Sequence, residues 1–159
     1  MRAASQSTPT GHTIFCDDIR REITGKASLI GMYWSVMFLN APAFPVIIPK
    51  LALRVTYFER PGESDEPVEL RVYFPGDEET PVYKMDMNFE RASIQLPSAP
   101  IPGAEFLLLS ALRDVEFCPA VIAQEGLIKV RAYRGDLEIR LGSLNVRLNP
   151  LSSQQVPPI

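Results

Sequence analysis

The chain has one histidine and two cysteines. That scarcity closes off most familiar chemistry. Cys16 and Cys118 cannot build a disulfide framework. A Ser-His-Asp or Cys-His mechanism would have to run through His12. His12 adjoins residues 1–11, a polar, small-residue segment expected to be disordered, and preorganised catalysis needs a rigid mount. His12, Cys16 and Asp17 offer metal-ligand atoms close together, but zinc takes four ligands and no partner pair follows. No apolar run approaches the roughly 18 residues of a membrane helix, and residues 29–38, the nearest, contain Trp34 and Ser35. No Gly-rich phosphate loop is present. Gly25-Lys26-Ala27-Ser28 looks like the end of one but lacks the upstream glycine. Positive charge is not in excess. Sixteen Lys plus Arg against nineteen Asp plus Glu give −3, which argues against nucleic acid and against an anionic membrane surface. No basic segment followed by an apolar stretch opens the sequence, so cytoplasm is the expected compartment. No cofactor, metal or small-molecule substrate is expected.

Proline is plentiful. Its fifteen copies are spread along the chain rather than packed into a tract. Spread prolines punctuate short strands and count against long helices, because each interior proline removes a hydrogen bond and clashes with the preceding turn. The length suits one domain, here expected over residues 12–149 with a tail over 150–159. Residues 12–22 read as a first strand running into a charged stretch. Residues 26–39 read as a strand interrupted by Gly31, where a bulge or a close backbone approach is expected. Leu51, Leu53, Val55 and Tyr57 alternate with other residues, as do Val68, Leu70, Val72 and Phe74. These two strands are expected to form a hairpin across the Pro61-Gly62 loop. Tyr83, Met85, Met87 and Phe89 alternate next, and the proline-rich residues 96–103 read as an extended crossing. Residues 105–117 are read as strand, with helix the alternative. Residues 127–133 and 137–141 form a closing hairpin across a tight turn at Arg134-Gly135-Asp136, with a last strand or continuation through Leu144, Val146 and Leu148. About eight short strands fit an antiparallel β-sandwich.

The segment Asp17, Asp18, Ile19, Arg20, Glu22, then Gly25, Lys26, Ser28, Leu29, Ile30 and Gly31, resembles the opening of an uncharacterised family of small bacterial proteins, with phage-borne copies. Phe44-Pro45 and Pro49-Lys50-Leu51 are similar to a later family segment, and the closing hairpin is similar to its last one. Ile128 stands where the family has Tyr, the turn reads Gly135-Asp136, and residues 119–124 look like an insert. The resemblance covers about two thirds of the chain. It implies an immunoglobulin-like or C2-like sandwich and assigns no activity.

Two groups of residues invite a role. Asp17 and Asp18, adjacent on a strand, would point to opposite faces and so would not converge as an acid/base or metal pair. With Arg20, Glu22 and Lys26 they read as a structural ion-pair cluster, one aspartate pairing with Arg20 or Lys26. The acidic loops around Glu59, Glu63, Asp65 and Glu66, and around Asp77, Glu78 and Glu79, are expected at opposite sheet ends, which disfavours a shared calcium site. Met32, Tyr33, Trp34, Val36, Met37, Phe38 and Leu39 place apolar side chains on both faces of one stretch. One face can be core. The other needs a cover, either the proline-rich residues 41–49 or another protein or second copy. The expected function is therefore a non-enzymatic protein-interaction module, self-associating or binding another protein. A phage-related role (virion decoration, adaptor, or inhibitor of a host defence) is the alternative, and an enzyme of unrecognised type the second.

Overall fold

The computed structural model describes residues 8–60, 65–87 and 109–150. Among them there is no helix. Twelve strands follow in order: β1 (Thr10–Cys16), β2 (Asp18–Arg21), β3 (Ala27–Ile30), β4 (Val36–Leu39), β5 (Val46–Ile48), β6 (Leu51–Glu59), β7 (Val68–Tyr73), β8 (Tyr83–Asp86), β9 (Leu109–Phe117), β10 (Ala120–Ile122), β11 (Gly126–Arg134) and β12 (Leu137–Leu148). They form a three-stranded sheet, β1-β6-β9, and a five-stranded sheet, β4-β12-β11-β7-β8, with two-stranded ribbons β5-β10 and β2-β3. The protein is an all-β, sandwich-like fold.

Alternation builds the core. Leu51, Leu53, Val55 and Tyr57 of β6 turn inward. They join Val68, Leu70 and Val72 of β7, Ile128, Val130 and Ala132 of β11, and Ile139, Leu141, Leu144 and Val146 of β12 in one cluster. Each large aliphatic side chain buried there contributes about 1.5–3 kcal/mol. A small second cluster lies where the β2-β3 ribbon places Ile19, Ala27 and Leu29 against Cys16 and Ala52. The closing hairpin is tight. Arg134 pairs with Leu137, leaving a two-residue turn, and Gly135 takes φ 56 at its first position, as a type II′ turn requires.

Several expectations are corrected. β6 and β7 are not a hairpin: β6 pairs with β1 and β9, and β7 with β11 and β8. Their apolar faces meet across the core instead of lying side by side. The stretch 12–22 is two strands, because the chain turns at Asp17. The stretch 26–39 is also two strands, β3 and β4, which lie in different sheets and are separated by residues 31–35. Strand β1 begins at Thr10, so Thr10 and Gly11 of the segment expected to be disordered are paired, opposite Phe58 and Tyr57. Residues 119–124 contain β10, which pairs with β5 from the proline-rich segment. The fold is not wholly antiparallel, since β4 runs parallel to β12. These splits, with the two short ribbons, raise the strand number from about eight to twelve. Residues 109–117 are strand, while residues 96–103 and 105–108 lie outside the described residues.

Candidate interaction surface

The Asp17–Lys26 cluster sits where the β2-β3 ribbon meets the β1-β6-β9 sheet. The two aspartates have separate partners. The Asp17 N–H donates to Ile30 O at 2.9 Å, and its carboxylate accepts from the Tyr33 hydroxyl. Gly31 makes this contact possible: at φ 66, a Cβ there would stand 2.0 Å from Asp17 Oδ2. Burial, then the Asp17 hydrogen bond, raise the Tyr33 hydroxyl well above the usual tyrosine range. Asp18 accepts from Lys50 Nζ at 2.6 Å and lies 3.5 Å from Arg20 Nε. Lys50 also reaches Glu116 at 2.9 Å, so it bridges β2 and β9 across the start of β6. The Lys50 bond depresses the Asp18 carboxyl, and Asp18 with Glu116 raise the ammonium. Glu22 accepts from Ser28 at 2.5 Å, closing the ribbon. Lys26 makes no salt bridge among the described residues and lines an open groove of about 560 Å³ with Arg21, Arg54, Arg113, Asp114, Leu112 and Met85.

Sequence reasoning missed the partners that matter most here. Arg54 grips Asp114 with two bonds of 2.8 Å, and Arg21 adds a second cation at 3.6 Å. The same holds for Lys50 with Asp18 and Glu116. These pairs join residues far apart in the chain, brought together by strand pairing that no local pattern announces. The geometry is that of a fastening for the ribbon, with Asp18, Glu116 and Asp114 each occupied by a cation and Asp17 and Glu22 each by a hydroxyl.

The other chemical candidates do not assemble. His12 is exposed on the outer face of β1, its ring 6.1 Å from that of Phe58. Cys16 is buried and its thiol is raised by desolvation, while Cys118 is exposed, and neither is in a disulfide. Among the described residues no three His, Cys, Asp or Glu side chains converge on a metal position. Asp77 is held by the Glu79 and Thr80 N–H groups in a turn beyond β7, whereas Asp65 and Glu66 precede β7. Glu63 lies outside the described residues. No helix among the described residues is long and apolar enough to cross a membrane.

The stretch 32–39 divides sharply. Met37 and Leu39 enter the core at 1% and 6% exposure, and Tyr33 packs against it. Val36 is half-buried. Trp34 is 96% exposed, and Met32 and Phe38 are each 57% exposed. Two devices create this. An isolated bridge from Tyr33 to Phe15 anchors the segment to the three-stranded sheet. β4 then joins the edge of the five-stranded sheet, pairing Val36 with Asn145 and Phe38 with Arg147. Between these anchors Trp34 projects outward. The proline-rich segment packs Phe44, Val46 and Ile48 onto the core, yet leaves Trp34 uncovered. Comparison with protein-family models, curated proteins and solved structures finds no match for the chain.

Proposed function

We propose that the protein acts by binding another polypeptide, and that Trp34, Met32 and Phe38 make the contact. The observation that carries this reading is the almost complete exposure of Trp34 beside two other large apolar side chains at a sheet edge. Leaving a tryptophan in water forgoes about 3 kcal/mol or more of burial. Tryptophan is also the residue type most enriched among interface hot spots. Binding rather than catalysis is further supported by the ion-pair cluster, in which Asp18, Glu116 and Asp114 are engaged by cations and whose contacts fasten strands together.

The test is site-specific photocrosslinking in the cells that produce the protein. A photoreactive phenylalanine analogue is placed at Trp34, at Phe38 and, as control, at Arg140, whose side chain is 81% exposed on β12 outside the part that pairs with β4. Adducts to polypeptide are expected from positions 34 and 38 and not from 140. An adduct pattern no stronger at 34 and 38 than at 140 would remove the reading.

A further inference from the structure

The outer edge of β4, which no described strand pairs, suits a second copy of the same strand. We propose that two chains pair β4 to β4 in antiparallel fashion about a two-fold axis, joining their five-stranded sheets into one. This rests on the reading of the Trp34 surface as a contact, and it names the occupant.

The backbone supplies the first argument. Ser35 O accepts from the Asn145 N–H at 3.0 Å, and Leu39 O from the Asn149 N–H at 2.8 Å. These carbonyls therefore face β12. Strand groups alternate with period two, so Val36 and Phe38 turn their N–H and C=O away from β12. Among the described residues no strand meets them.

Edge protection supplies the second. Exposed edges are ordinarily blunted by charge, proline or cover. Here β8 carries Lys84 and Asp86, and β9 carries Arg113, Asp114 and Glu116. Pro45 and Pro49 flank β5, and Pro119 precedes β10. β1 lies against β12: a Cβ on Gly11 would come within 2.7 Å of Leu141, and one on Gly142 within 3.3 Å of Thr13. β4 has no charge and no adjoining proline, and it is flanked by exposed Trp34.

Charge supplies the third, and selects the partner. Around a two-fold axis each residue near the axis meets its own copy, so any charge there repels itself. Met32, Trp34, Ser35, Val36, Phe38 and Asn40 include none, although the chain as a whole carries −3.

The register follows. Val36 and Phe38 lie on the outer face, because Met37 and Leu39 are inward. Antiparallel pairing with the axis at Met37 sets Val36 opposite Phe38 of the second copy, and the reverse. Outward N–H and C=O groups then meet in hydrogen-bonded pairs, and each Phe38 covers the other chain's Val36 while Trp34 closes each end.

Sedimentation equilibrium of the full chain from about 10 µM to about 1 mM tests this, since pairing over one short edge gives a weak dimer. The wild type is expected to dimerise. Phe38→Pro removes the outward N–H and no bond to β12, and should weaken association at least about tenfold more than Phe38→Val, which keeps it. Val36→Glu, which sets two like charges near the axis, should also give monomer. Far-UV circular dichroism checks that each variant is folded. A wild-type monomer across the range overturns the second copy as occupant, while crosslinks from position 34 to a different polypeptide would leave the binding reading standing. A dimer that survives Phe38→Pro overturns strand pairing.

Discussion

Asp114 is the carboxylate most thoroughly committed to folding. Its side chain is 7% exposed, and Arg54 holds both of its oxygens. The Arg54 hydrogen bonds lower its pKa in the folded chain, against the opposing effect of desolvation. The pH consequence has a definite sign. A carboxyl whose folded pKa is depressed contributes stability above its unfolded value, about 3.9, and loses it as pH falls through the folded value. Lys50 works the other way. Its pKa is raised by Asp18 and Glu116, so its contribution is complete below about 10.4 and is lost as pH climbs through the folded value. Asp114→Asn should cost about 2 kcal/mol at neutral pH, because Arg54 loses a charge-assisted pair in a partly buried place. Urea unfolding measures it. The gap from wild type should narrow below about pH 4, where Asp114 of the unfolded chain takes up a proton before that of the folded chain does. A gap that stays constant through that range would mean the residue acts through packing instead.

At the level of elements, the pairing of β6 with β7 shows what a sequence carries and what it omits. The alternation of Leu51 to Tyr57 and of Val68 to Val72 is legible, and both segments are strands with those residues buried. Alternation says which face is apolar. It does not say whether two apolar faces lie side by side in one sheet or stack from opposite sheets, and a connection over residues 60–67 permits either. The same gap hid Arg54–Asp114 and Lys50–Glu116, which exist only once β6 is set against β9. The surface stretch was half legible. Two-sided apolarity at residues 32–39 marked it. The change of direction through residues 31–35, which sends Met37 inward and Trp34 outward, depends on Tyr33 finding Phe15 and β4 finding β12. The stacked arrangement has a test of its own. Replacing residues 60–67 by Asn-Gly, a turn that spans neighbouring strands about 4.8 Å apart, asks β6 and β7 to become a hairpin, while stacked sheets lie about 10 Å apart. The variant should lose its near-ultraviolet circular dichroism and its cooperative unfolding. A native-like variant would contradict the observed sheet order.

For the molecule as a whole, the two sheets are held by the shared core and also by a polar contact that crosses between them. Glu59, at the end of β6, is 3% exposed and accepts from the Tyr57 hydroxyl at 3.1 Å. Arg134, at the end of β11 in the opposite sheet, lies 3.5 Å from the same carboxylate oxygen, its side chain 12% exposed. A carboxylate this far from water depends on its countercharge, because desolvation of an ion costs several kcal/mol and only pairing offsets it. The two partners are not equivalent. Arg134 adjoins the exposed Gly135-Asp136 turn, so its long side chain can turn toward solvent if Glu59 is removed. Glu59 is shorter and 3% exposed, so its carboxylate has less reach toward water. Arg134→Leu should therefore destabilise the protein by about 3 kcal/mol, and Glu59→Leu by clearly less. The double variant should recover much of the loss, as when a buried pair is replaced by packed apolar side chains. Denaturant unfolding of the four proteins gives the coupling directly. Equal losses in the two single variants, adding without coupling in the double, would show that the Glu59–Arg134 pair does not help to join the sheets.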